Sequence, residues 1–143
     1  MHETIEVKIL EAADTEQLKS LKSLYEEAGW WSEEDNNDPD LILKIIQGSF
    51  CFAVASINGA LIGMGRAISD GVSDAYIQDV AVLNNFRKRG IGVLIMDELI
   101  KHLKSKNINW ISLISEPKAV SFYQRYGFSP MADYAPFTLK QQM

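Results

Sequence analysis

The sequence predicts a single α/β domain built on a mixed central β-sheet with about four helices around it. Segments with helical apolar spacing alternate with short apolar or alternating segments typical of strands. Two of the strand segments are separated only by Asn58-Gly59, a pair that favours a tight type I′ turn, so they must be antiparallel. The chain has 143 residues, of which 47% are hydrophobic, and can bury its own core. We expect one domain over residues 1–143.

The first third of the chain predicts one strand and two helices. Residues 5–10, IEVKIL, alternate apolar and polar side chains as a half-buried strand does. Asp14 and Gln17 have the spacing of a capping box, which predicts the start of a helix. Gly29 supplies the signal that ends this helix. The apolar spacing of residues 41–48 then indicates a short second helix.

The rest of the chain predicts strands and helices in alternation. In order, the sequence indicates the hairpin at 49–69, a strand at 75–83, a helix from about Gly90, a strand at 109–114, a helix at 117–126 and one or two closing strands within 128–143. The strand NWISLI at 109–114 is short and apolar, which favours a central place in the sheet.

Composition and charge exclude several classes of protein. The net charge of -5 leaves no broad basic face for nucleic acid, and no apolar run approaches the ~20 residues of a membrane span. The first ten residues lack the apolar core of a signal peptide. The single cysteine, Cys51, lies in an apolar run and predicts a buried thiol in a reducing cytoplasm. His2 and His102 are isolated, so we expect no metal site.

The segment NNFRKRGIG lies between a predicted strand and a predicted helix. A helix start carries unpaired N–H groups and about half a positive charge, and glycines let an anion approach the backbone. A phosphate-bearing small molecule is therefore one interpretation, and a solvated basic turn is the other. The spacing of the glycines fits neither a P-loop nor a dinucleotide-binding fingerprint.

The stretch Arg87-x-x-Gly90-x-Gly92, preceded by the strand DVAV, resembles the acetyl-CoA-binding motif of the GNAT superfamily of N-acetyltransferases. A second segment, AVSFYQRYGF, is similar to another motif of that family about 30 residues further on. The resemblance implies the GNAT fold, with its middle strands splayed apart. It also implies acetyl-CoA as acetyl donor and a small-molecule or peptide amine as acceptor, which attacks directly in a ternary complex.

The same resemblance implies which residues hold the cofactor. Pantetheine is expected to pair with the backbone of Val80, Ala81 and Val82. The pyrophosphate is expected on the loop and helix start, which comprise Arg87, Lys88, Arg89, Gly90, Ile91, Gly92 and Val93. Further contacts are expected from three residues of the last helix, Ser121, Phe122 and Arg125.

The resemblance also implies that Tyr123 protonates the departing CoA thiolate, although its helical spacing equally suits a core residue. Several members of that family have a Glu or His base for the incoming amine at the positions that match 76 and 78. This chain has Tyr76 and Gln78 there, and neither side chain is a base at neutral pH. Asp79 is the candidate base. Strand alternation places Asp79 on the face of the sheet opposite Tyr76 and Gln78, unless a bulge turns it to their side. A water relay to solvent or to Glu116 is the alternative.

The acceptor site is expected on the first two helices and their connection. Trp30 and Trp31 predict an aromatic wall next to an acidic stretch that attracts a cationic amine, together with Tyr76 and Gln78 of the strand. The alternative is a hydrophobic staple and a solvated loop. Arg66 either binds an acceptor carboxylate or pairs with Asp70.

Two further expectations concern activity and assembly. Because positions 76 and 78 hold no base, an alternative function is a GNAT-fold module that binds acyl-CoA or has a regulatory role and catalyses only weakly. The apolar stretch YAPFTL near the C-terminus suggests pairing across subunits in a homodimer. The sequence predicts no nucleic-acid partner and no membrane partner.

Overall fold

The computed structural model describes residues 4–32, 34–35 and 38–139, which carry five strands and four α-helices. In chain order these are β1 (Ile5–Ile9), α1 (Thr15–Glu27), α2 (Leu41–Gly48), β2 (Cys51–Ile57), β3 (Ala60–Ser69), β4 (Asp74–Val82), α3 (Ile91–Ser105), β5 (Trp110–Leu113) and α4 (Val120–Tyr126). The chain divides into two compact units, one up to Ser112 and one from Leu113 onward. The predicted α/β class is confirmed, and so is the predicted element order up to the last helix.

The sheet has the strand order β1-β2-β3-β4-β5. The pairs β1–β2, β2–β3 and β3–β4 are antiparallel. Asn58 and Gly59 both have positive φ, 52° and 85°, as the predicted type I′ turn requires. β4 and β5 adjoin over a much shorter stretch than the antiparallel pairs, which agrees with splayed strands.

Two predictions for the end of the chain are wrong. β5 is the last strand of the described sheet and not a central one, because an apolar run alone does not distinguish the two positions. Residues 128–139 form neither strand nor helix, and the remaining residues of the predicted closing strands lie outside the described part of the chain. Pro130 and Pro136 remove two backbone donors from this segment, which disfavours pairing in a sheet.

Helices α1 and α2 cover one face of the sheet. The capping box that starts α1 is present: Gln17 N donates to Asp14 Oδ1 at 2.8 Å, and Asp14 N donates to Gln17 Oε1 at 3.0 Å. The core on this face combines both helices with β2, β3 and the residue after β1. It contains Leu10, Leu21, Leu24, Tyr25, Ile42, Ile46, Phe52, Val54, Leu61 and Met64. Cys51 is also buried, as predicted, and burial raises the pKa of its thiol to about 11.

Helix α3 packs on β3 at Gly63 and Gly65, where no side chain separates it from the strand. A β-carbon at Gly63 or at Gly65 would lie 2.8 Å from a side-chain carbon of Ile95. The two glycines therefore permit a close approach that any other residue would disturb. The buried face of α3 consists of Ile91, Ile95, Met96, Leu99 and Leu103.

Strand β4 contains a β-bulge. Met64 of β3 pairs with Ala81 and Arg66 pairs with Gln78, so two residues of β4, Asp79 and Val80, lie opposite a single residue of β3. Asp79 has φ 57°, a left-handed conformation that aspartate tolerates better than most residues. The bulge interrupts the alternation of side chains along β4, and this decides where Asp79 points.

The second unit contains α4 and the turn before it. Pro117 opens a short 3₁₀ helix, Pro117–Ala119, which leads into α4, and Gly127 ends α4 with φ 126°. Tyr123 lies edge-on to Phe122 and to Phe128, with ring centroids 5.0 and 6.1 Å apart. The helix predicted for this segment is confirmed.

Candidate active site

The loop before α3 has the backbone of an anion site. Lys88 and Gly90 both have positive φ, 65° and 78°, and α3 begins at Ile91. The first bond of the helix runs from Leu94 N to Gly90 O at 3.2 Å, so the amides of residues 91–93 have no acceptor inside the helix. A β-carbon on Gly90 would meet no atom within 4 Å, so the space beside this backbone is open.

The basic side chains of this loop are exposed. Arg87 Nε donates to Val82 O at 3.2 Å, which ties the loop to the end of β4. The Arg89 guanidinium lies 5.2 Å from the centre of the Phe86 ring, a cation–π distance. Lys88 projects into solvent beside them. The predicted combination of free amides and positive charge is present on one continuous stretch.

Ser112 has a buried hydroxyl without a hydrogen-bond partner among the described residues. It lies on β5, the strand next to β4 in the sheet order. Leaving a buried hydroxyl unpaired costs about 1–3 kcal/mol, so such groups usually meet a ligand or an ordered water.

Asp79 is turned by the bulge to the α1 face of the sheet. Strand alternation had placed it with Ile77, on the face opposite Tyr76 and Gln78, unless a bulge turned it. The structure has such a bulge, which adds one residue to β4. The Asp79 carboxylate accepts from Arg66 Nε at 2.7 Å and from the Tyr25 hydroxyl at 2.8 Å, both on Oδ2. Arg66 Nη2 also donates to Gln78 Oε1 at 3.2 Å.

The alternative partner suggested for Arg66, Asp70, is not the one it contacts. Asp70 instead accepts from the backbone of Val72 and from the backbone and hydroxyl of Ser73 in the β3–β4 turn. These bonds lower the pKa of Asp70 to about 2. Arg66 is therefore held over β4 by Asp79.

Tyr25 is a member of this site that the sequence did not reveal. Its spacing from Leu18 and Leu21 on α1 indicates only a core residue, and it is 4% exposed. Its ring lies 5.5 Å from that of Trp31 and 6.4 Å from that of Trp30, so the two predicted aromatic residues reach the Asp79 network through Tyr25. A hydroxyl within a buried helical stripe requires a partner, and that requirement was the available signal.

The other residues predicted for the acceptor side lie near this network or in the connection after α1. Tyr76 and Gln78 are exposed on β4. Trp31, together with α1 and Ile42, lines a groove of about 300 Å³. Two acidic residues of the groove already have local partners: Asp38 accepts from Lys44 Nζ at 2.9 Å, and Asp35 accepts from the backbone and hydroxyl of Ser32. Glu33, part of the predicted acidic stretch, lies outside the described residues.

Tyr123 is partly buried in the second unit. Burial raises the pKa of its phenol, and the nearby negative charge of Glu116 raises it further. The hydroxyl therefore stays protonated at neutral pH, as a proton donor must. On the same helix, Ser121 and Arg125 are exposed and Phe122 is partly buried.

Two other features are absent from the described part of the chain. Residues 4–32, 34–35 and 38–139 contain no group of three or more His, Cys, Asp or Glu side chains placed to hold a metal ion. No helix among them is both long and apolar enough to cross a membrane.

Comparison with known proteins assigns this chain to a family. A sequence profile described as the acetyltransferase (GNAT) family matches residues 14–128. An uncharacterized N-acetyltransferase of Pyropia yezoensis is 31% identical over 117 residues, which cover 78% of this chain and 64% of that protein. Other curated relatives are matched over less than half of their own length.

Solved structures agree with this assignment. A GNAT-family acetyltransferase from Streptococcus pneumoniae is 25% identical and superimposes with a TM-score of 0.80, covering 98% of this chain and all of the other. An aminoglycoside N-acetyltransferase solved in complex with CoA has the same fold, with a TM-score of 0.73 at 15% identity over 99% of this chain and 98% of the other. The family profile spans most of the chain, and the chain belongs to the GNAT acetyltransferase family.

Proposed function

We propose that the protein transfers the acetyl group of acetyl-CoA to a primary amine of a small molecule or peptide, by direct attack in a ternary complex. The observation that carries this proposal is the run from β4 to α3, where a bulged strand leads into free amides and three exposed basic residues. Bound acetyl-CoA would supply the thioester from which the acetyl group is taken.

The residues present fit this cofactor. The amides of residues 91–93 and the open space beside Gly90 suit a phosphate, and Arg87, Lys88 and Arg89 add positive charge around it. The backbone of residues 80–82 is the proposed partner of pantetheine. We assign the Ser112 hydroxyl to the same ligand, because it is buried without a partner on the strand next to β4.

Asp79 is proposed to accept the proton that an ammonium group must lose before it attacks. Its Oδ2 is occupied by Arg66 and Tyr25, and its Oδ1 has no hydrogen-bond partner among the described residues. Asp79 also directly precedes Val80, whose backbone is proposed to hold pantetheine, so the carboxylate lies at the start of the cofactor-binding stretch. Oδ1 is the atom available to an amine, directly or through a water.

Tyr123 is proposed as the acid that protonates the departing thiolate. Its raised pKa keeps the proton on Tyr123 Oη until a strong base appears beside it. Ser121, Phe122 and Arg125 are proposed to contact the cofactor from the same helix.

The acceptor is proposed to be an amine with an apolar or aromatic body. Trp30, Trp31 and Tyr25 form an aromatic cluster whose hydroxyl end contacts Asp79. Such a cluster favours the carbon skeleton of an amine on one side and its cationic nitrogen on the other. The exposed side chains of Tyr76 and Gln78 complete the proposed acceptor side.

A second candidate function is an acyl-CoA-binding or regulatory module with weak catalysis. One observation favours it: Tyr76 and Gln78 are not bases, and the Asp79 carboxylate is already paired with Arg66. Such a module would bind acetyl-CoA without producing an acetylated amine.

An acceptor screen separates the two candidates. The protein is incubated with acetyl-CoA and a panel of arylalkylamines, polyamines, aminoglycosides, amino acids and lysine peptides, and thiol release and acetylated product are measured. Amine-dependent thiol release with a matching acetylated product supports acetyl transfer. Binding of CoA by calorimetry without product from any class would favour the module.

Two further proposals accompany this function. We expect the protein to act in the cytoplasm. We also expect a homodimer, because Tyr134, Phe137 and Leu139 expose large apolar side chains in a segment without strand or helix. A molar mass measured by light scattering over a concentration series tests the dimer.

A further inference from the structure

Tyr25 makes a contact that its place in the core does not require. It lies on α1 among buried apolar side chains, yet its hydroxyl donates to Asp79 Oδ2 at 2.8 Å across 54 positions of sequence. A phenylalanine would fill the same volume without burying a polar group. The presence of the hydroxyl therefore indicates a role in the contact with Asp79, in addition to packing.

We infer that Tyr25 is a positioning residue, which orients the Asp79 carboxylate so that Oδ1 faces the acceptor amine. The inference rests on the proposed function, in which Asp79 receives the proton of the amine. Nothing in the sequence motifs of the chain assigns a role to Tyr25.

The geometry of the carboxylate supports this role. Tyr25 Oη and Arg66 Nε approach the same oxygen, at 2.8 and 2.7 Å, and two donors on one oxygen fix the rotation of the group. Arg66 alone is a single contact to Oδ2 and leaves the carboxylate free to turn about it. Asp79 also lies in the bulge, where strand alternation no longer sets the direction of its side chain.

Tyr25 also joins the acceptor side to Asp79. One edge of the residue carries the hydroxyl bound to Asp79, and the ring packs near Trp30 and Trp31, which belong to the connection between α1 and α2. Tyr25 is therefore in contact with both the predicted aromatic wall and Asp79. Burial raises the pKa of Tyr25, and the charge of Asp79 adds to this, so the hydroxyl remains a donor over the working pH range.

The test is steady-state kinetics of Tyr25→Phe on an accepted amine. This change keeps the ring and deletes only the O–H group, so we expect kcat to fall about tenfold while the Kd for CoA by calorimetry stays within twofold. Leu24→Val is the matched control, because Leu24 is a neighbouring residue of the same core and its side chain cannot hydrogen-bond to Asp79. It should lower Tm at least as much as Tyr25→Phe and leave kcat unchanged.

A double variant identifies the residue through which Tyr25 acts. If Tyr25 works by orienting Asp79, adding Tyr25→Phe to Asp79→Asn should not lower kcat further. Additive losses, or a wild-type kcat in a folded Tyr25→Phe protein, would overturn the inference. A loss of CoA affinity instead of kcat would also overturn it, because Tyr25 would then support the bulge. These results leave acetyl transfer by the wild-type protein standing, whereas a wild type inactive on every amine overturns the proposed function and this inference together.

Discussion

The loop before α3 and the network around Asp79 begin on the same strand, yet they are built in different ways. The loop uses the backbone of consecutive residues, with glycines and a helix start in fixed order. The network joins side chains from α1, β3 and β4, with Tyr25 54 positions away from Asp79. A site made of contiguous backbone leaves a motif in the sequence, and a site made of tertiary contacts does not.

This difference predicts that CoA binding and turnover depend on different regions of the molecule. Changes in the loop should alter the affinity for CoA, and changes in the network should alter turnover. A variant that moves both quantities together would show that the two regions are one site.

The largest effect is expected for Tyr123→Phe, which should act on turnover alone. The change removes the one O–H group proposed to protonate the thiolate and preserves the aromatic contacts with Phe122 and Phe128. We expect kcat to fall about 10²-fold with little change in CoA affinity. Tyr134→Phe, at a tyrosine that is 74% exposed, is the control. Normal turnover in a folded Tyr123→Phe protein would remove the acid role.

Gly90→Val should act on the loop alone. A valine at φ 78° is strained, and its side chain would occupy the space beside the free amides. We expect CoA to bind at least tenfold more weakly, about 1.4 kcal/mol, in a calorimetric titration. Gly59→Val imposes a similar strain at φ 85° in the β2–β3 turn, and it should leave CoA affinity unchanged. Equal affinity in the two folded variants contradicts the proposed phosphate site.

Ser112→Ala should move stability and affinity in opposite directions. The free protein loses a buried hydroxyl that has no partner in the described residues, so its free energy of unfolding should stay the same or rise. The complex loses a hydrogen bond to the ligand, and we expect CoA affinity to fall about fivefold, or roughly 1 kcal/mol. Denaturant unfolding and calorimetry on the same preparation measure both quantities. An unchanged CoA affinity would exclude Ser112 from the cofactor site.

The smallest effect concerns the pH dependence of kcat. Burial and the charge of Glu116 raise the pKa of Tyr123, so the protonated acid persists above the ordinary tyrosine pKa of about 10. Glu116→Gln removes the smaller of these two causes. The alkaline limb of the kcat profile should therefore move to lower pH in Glu116→Gln. A limb that moves to higher pH in this variant would count against Tyr123 as the titrating group.

The features that could be predicted from the sequence are those that a few neighbouring residues determine. The capping box at Asp14, the turn at Asn58 and the helix start after Gly90 each depend on a few adjacent residues, and all three are present. The direction of Asp79 was not predictable, because it depends on one extra residue in the pairing of β4 with β3. The edge position of β5 depends on the absence of a further strand among residues 128–139, which no pattern in β5 itself reports.

Gly63 and Gly65 connect strand β3 to the proposed cofactor site through Ile95 of α3, although β3 is not proposed to contact the cofactor. An added methyl group at Gly63 would meet the terminal Cδ1 of Ile95, which a rotamer change can move. At Gly65 it would meet Ile95 Cγ2, which lies next to the helix backbone, so α3 itself would have to shift. Ile95 follows the first turn of a 15-residue helix, so we expect this displacement to reach the amides of residues 91–93. We therefore expect alanine at Gly65 to change cofactor affinity without altering any residue of the binding loop.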